Sequence, residues 1–66
     1  MKTYLVIGFD KSDGVSIWLK IKAPDPSTAS KTFIKQCKKE LGPDSKYFVE
    51  FVIGPRLEVH YNDKYH

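Results

Sequence analysis

A two-layer α+β fold of ββαββ order, with one helix on a four-stranded antiparallel sheet of order 2-1-3-4, follows from three features of the sequence. A helix with both ends marked occupies the middle of the chain; runs with strand periodicity flank it on both sides; and the two runs that are apolar on both faces fall where that order makes them central. The chain has 66 residues, 41% hydrophobic and 29% charged, which is the composition of a single globular domain.

The first strand is predicted over Lys2 to Phe9, with Leu5, Ile7 and Phe9 on one side and Tyr4 and Val6 on the other. Strands with two apolar faces belong inside a sheet. Asp10-Lys11-Ser12-Asp13-Gly14 then supplies turn chemistry, Asp13-Gly14 being suited to positive φ at the end of a hairpin loop. The second strand, Val15 to Lys22, alternates: Val15, Ile17, Leu19 and Ile21 face a core, and Ser16, Trp18, Lys20 and Lys22 face away.

Pro24 and Pro26 close that strand and lead into PDPSTASKTFIKQCKKELG. Asp25 is the expected N-cap and Pro26 fits the first helical position, where its missing N–H costs nothing. Gly42 suits the left-handed residue after the helix, and Pro43 cannot continue it. Ala29, Phe33, Cys37 and Leu41 form one stripe with Ile34 at its edge, and Lys31, Lys35, Lys38 and Lys39 make a basic face.

Tyr47 to Ile53 reads as a third strand with two apolar faces, and Gly54-Pro55 as a turn into a fourth strand, Arg56 to Tyr61. A right-handed crossover through the helix sets the third strand beside the first. The helix is expected over Leu5, Ile7, Ile17, Leu19, Val49, Phe51, Leu57 and Val59. The open face then carries Tyr4, Val6, Trp18, Lys20, Lys22, Phe48, Glu50, Val52, Arg56, Glu58 and His60. A slip of one residue in the third strand instead turns Phe48 and Val52 inward and Tyr47, Val49 and Phe51 outward.

That open face is the leading candidate site, with Tyr4, Trp18, Lys20, Lys22, Phe48, Arg56 and His60 as partner-binding residues. Exposed aromatic and basic side chains suit a protein interface, in which Trp, Tyr and Arg are enriched. The alternative is single-stranded nucleic acid, its bases stacked on Tyr4, Trp18 and Phe48 and its phosphates held by Lys20, Lys22 and Arg56. A formal charge of +3 is compatible with either. The same side chains could also simply cover the sheet.

The lysine face Lys31, Lys35, Lys38, Lys39 is a secondary candidate: its like-charged i,i+4 pairs oppose the helix, while its position near the C-terminus suits the helix dipole. The sheet edges are a third, and Lys20, Lys22 and Pro24 guard the second strand, leaving the fourth, LEVHY, as the better docking edge. A second copy of the chain, giving a homodimer, is one candidate partner.

No catalytic or metal constellation is legible, so a non-enzymatic protein without cofactor is expected. Cys37 lies in the apolar stripe and reads as packing. Asp10, Asp13 and Gly14 lack the remaining ligands of a calcium loop. His60 and His66 have no partner set of metal spacing. One cysteine cannot form an internal disulfide, and no run resembles a signal peptide or a membrane span, so an intracellular, cytoplasmic location is expected.

The run IKAPDPSTASKTFIKQCKKELG followed by a strand resembles, in layout, small phage-encoded proteins that bind host machinery, such as inhibitors of bacterial RNA polymerase and compact anti-CRISPR proteins. Ala23, Asp25 and Ala29 match their passage from hairpin to helix, and the resemblance spans Lys2 to Ile53. It implies protein binding and inhibition of a larger host complex, and it assigns no functional residue.

Overall fold

The computed structural model describes residues 1–60; Tyr61, the last residue of the predicted fourth strand, and His66 lie outside them. The order is β1 (Lys2–Asp10), β2 (Ser16–Ala23), α1 (Pro26–Glu40), β3 (Tyr47–Ile53) and β4 (Val59–His60). The four strands form one antiparallel sheet in the order β2-β1-β3-β4, as the sequence predicts.

The helix starts and stops where its end signals stand. Asp25 is the N-cap, its Oδ1 accepting the Thr28 N–H at 2.7 Å, and Pro26 opens the first turn. Leu41 is the C-cap and Gly42 follows with a positive φ of 149°, its carbonyl accepting the Tyr47 hydroxyl at 2.9 Å. Ala29, Ser30, Phe33 and Cys37 form the buried face. Leu41 does not extend the buried stripe: as the C-cap it still donates its N–H to the Cys37 carbonyl at 2.8 Å, but its side chain is 62% exposed.

The sheet's core face differs from the sequence expectation along β1. Tyr4 and Val6 are buried beneath the helix, and Leu5, Ile7 and Phe9 turn to the other side. The hairpin loop decides this. It sets Tyr4 opposite Ile21, Val6 opposite Leu19 and Gly8 opposite Ile17, so even-numbered residues of β1 share a face with odd-numbered residues of β2. Because Ile17, Leu19 and Ile21 pack toward the helix, Tyr4 and Val6 must do so too.

Neither register predicted for β3 holds along its whole length. Ile7 pairs with Phe51 but Gly8 pairs with Val49, so Glu50 is an extra residue at a β-bulge. The bulge reverses the alternation midway: Tyr47, Val49 and Val52 are buried, and Phe48, Phe51 and Ile53 stand half-buried on the opposite face. Val52 thus joins the core and Phe51 leaves it.

The fourth strand begins later than predicted, at Val59 rather than Arg56. Gly54 to Glu58 form a turn closed by the Leu57 N–H to the Gly54 carbonyl at 3.0 Å and the Gly54 N–H to the Glu58 carbonyl at 2.8 Å. Leu57, with φ of 64°, is exposed rather than under the helix, and Val59, opposite Ile53, belongs to the open face.

Candidate docking face of the sheet

The open face takes its side chains from all four strands. Cross-strand pairing sets Ile7 beside Trp18 and Phe51, Leu5 beside Lys20 and Ile53, Phe9 beside Phe48, and Ile53 beside Val59. The centre is aliphatic and aromatic and remains partly open to solvent. Trp18 stands furthest out, 63% exposed, and with Leu5, Ile7 and Lys20 it borders an apolar depression of about 340 Å³.

Two aromatic residues on this face are committed to each other. The Phe9 and Phe48 rings stack with centroids 5.5 Å apart and planes at 21°, and the Lys11 ammonium lies 5.6 Å from the Phe48 centroid. The loop carrying Lys11 is held by Asp10, whose Oδ1 accepts the Ser12 N–H at 2.9 Å and the Ser12 hydroxyl at 2.8 Å. Those bonds hold the Asp10 carboxyl below its ordinary range. The charged side chains that the β1–β2 pairing places on this face are Lys20, opposite Leu5, and Lys22, opposite Thr3; the half-buried Glu50 stands beside Phe51 at the bulge, outside the pairing.

Of the partner-binding residues expected from sequence, Trp18, Lys20, Lys22 and Phe48 are on this face. Tyr4 is not: it is 2% exposed in the core, for the reason of hairpin parity given above. His60 pairs with Val52, a core residue, and so belongs to the helix side of the sheet; its Nε2 lies 3.7 Å from Glu58 Oε1. Arg56 sits in the β3–β4 turn, outside strand alternation, where it borders a depression of about 450 Å³ with Lys2, Pro55 and Glu58. Glu58, also in that turn, is drawn below the usual carboxylate range by its own N–H and then by that of Arg56.

Leu5, Ile7, Phe9, Phe51, Ile53 and Val59 are among the face residues that sequence reasoning assigned elsewhere or left out. A signal for them was present in Gly8. A glycine inside a strand marks a place where another element comes close, and here that element is the helix. The even-numbered side of β1 is therefore the covered one.

The comparisons add no relative. The chain matches no protein-family model, no curated protein and no solved structure.

The other candidates lie elsewhere. Lys31, Lys35, Lys38 and Lys39 are exposed on the solvent side of α1, across the molecule from the open face, and make no ion pair among the described residues. Cys37 is buried, and the loss of solvent around it pushes its thiol above the ordinary value of 9.0. Among the described residues no three His, Cys, Asp or Glu side chains come together as a metal set, and no helix is long and apolar enough to cross a membrane. As an edge, β4 offers only Val59 and His60 within those residues, whereas β2 offers eight.

Proposed function

We propose that this chain is a non-catalytic, cytoplasmic protein-binding module whose open sheet face docks on a partner protein. The observation supporting this is the make-up of the face: an aliphatic and aromatic centre of Leu5, Ile7, Trp18, Phe51 and Ile53 bordered by Lys20 and Lys22. Aliphatic side chains bury well against a protein but give bases nothing to stack on. Phe9 and Phe48 further spend ring surface on each other. The charges call for a partner with an apolar centre and acidic residues around it. A domain this small acts by occupying its partner's surface, in line with the inhibitor-like layout of its hairpin and helix.

The test is affinity capture from nuclease-treated cell lysate with the wild-type chain and with Trp18→Ala and Ile7→Asp, followed by reconstitution with the purified captured protein at moderate salt. Binding that survives salt and is lost in both variants is the expected result. Equal binding by both variants would remove the open face from the interaction. Trp18 fluorescence that responds saturably to single-stranded oligonucleotides, with affinity falling steeply as salt rises, would replace the reading with nucleic-acid binding.

A further inference from the structure

Among the described residues the strand β2 stands at the edge of the sheet, paired only with β1, so none of their strands meets the backbone groups along its outer side. At eight residues it is a long edge. Its lysines do not seal it: Lys20 and Lys22 stand on the open face and alternate with side chains that face the helix. On that helix side Ile17 and Leu19 are only partly buried, although Ile21 on the same strand is buried.

We propose that β2 pairs antiparallel with β2 of a second copy about a two-fold axis at Leu19, joining two sheets into one of eight strands. An isologous pair of this kind must set each residue opposite one on the same face. With the axis at Leu19, the strand's sequence is complementary to itself. Trp18 meets Lys20 of the second copy and Ser16 meets its Lys22, so no lysine opposes a lysine. On the helix side Ile17 meets Ile21 and Leu19 meets Leu19, covering the apolar edge that the monomer leaves half-open.

Neighbouring registers are worse. An axis at Lys20 sets Lys20 against itself, and an axis at Trp18 pairs five residues of β2 in place of seven, Ser16 to Lys20 in place of Ser16 to Lys22. The pairing leaves Leu5, Ile7 and Phe51 uncovered, because it uses the edge and not the face. It therefore stands apart from the proposed docking function, and would set two docking faces side by side across a seam lined by Trp18 and Lys20.

Sedimentation equilibrium of the full chain, compared with Trp18→Lys and Trp18→Glu, tests this. Trp18 is exposed, so both variants should fold, as circular dichroism will verify. The wild type is expected to dimerise in a concentration-dependent way. Trp18→Lys sets two lysines against two and should weaken the dimer about tenfold, whereas Trp18→Glu sets a carboxylate beside Lys20 and should keep or tighten it. Loss of the dimer in both variants would mean association through the open face and would overturn the proposal. A wild type that stays monomeric at millimolar concentration, or a dimer indifferent to both substitutions, would overturn it equally.

Discussion

The ring of Phe33 in α1 rests on the backbone of Gly8 in β1: a Cβ at position 8 would stand 2.9 Å from Phe33 Cε1 and would also overlap the Phe48 carbonyl oxygen. The helix comes into close contact with the sheet at this point, and the β-bulge that re-aims β3 begins at the same residue. Gly8→Ala should accordingly destabilise the domain by about 3 kcal/mol, since one of the two clashes is with backbone that cannot rotate away. Urea denaturation of the variant measures the loss; an unchanged midpoint would mean that helix and strand are not in contact there.

Ser30 is fully buried on the helix's inner face, and its hydroxyl has no hydrogen-bond partner among the described residues. Replacing an unsatisfied buried hydroxyl by a methyl group removes its desolvation cost and improves helix propensity. Ser30→Ala should raise stability by about 1 kcal/mol, seen as a higher melting temperature by calorimetry.

Leu57 is held at φ of 64° while 82% of its surface is exposed, so its side chain offsets little of the strain of that conformation. Leu57→Gly removes the strain but adds freedom to the unfolded chain. The net expected gain is up to about 1 kcal/mol, and Leu57→Val, β-branched at the same φ, should lower stability. The pair can be read from thermal melts.

The buried Cys37 thiol has a pKa raised above 9.0 by loss of solvent, so the folded state favours its protonated form. Its stabilising contribution is complete below the unfolded value and is lost as the pH rises through the folded one. Stability of the wild type should therefore fall above about pH 9 more than that of Cys37→Ala. A thiol reagent at neutral pH should label the native protein far more slowly than the urea-unfolded chain.

Asp25 acts in the opposite direction at low pH. The Thr28 N–H holds its carboxyl below the ordinary value of 3.8, aided by the charge of Lys31. The resulting stability is present above that value and is lost as the pH falls through the folded pKa. Asp25→Asn keeps a cap but has no charge to lose, so its stability should depend less on pH between neutrality and pH 2 than the wild type's. Denaturation midpoints across that range provide the comparison.

Local chemistry made much of this architecture legible in advance. Asp25, Pro26 and Gly42 bound the helix through hydrogen bonds and dihedral angles that involve only near neighbours. The alternation of β2 placed Trp18, Lys20 and Lys22 correctly, because one of its faces is polar. Apolar content on both sides of β1 and β3 put those strands at the centre of the sheet.

The same two-sidedness withheld which face of those strands the helix covers. Tyr4 and Leu5 are both acceptable beneath a helix, so their own chemistry leaves the choice open; the six-residue connection between Phe9 and Ser16 decides it through pairing. In β3 the decision fell to one extra residue, Glu50, which brings Val49 and Val52 to the same side of the sheet. Caps, turns and periodicity are properties of a few consecutive residues, and the sequence by itself determined them. Parity between strands depends on partners distant in the chain and on the space that Gly8 leaves for Phe33, and only the tertiary structure decided it.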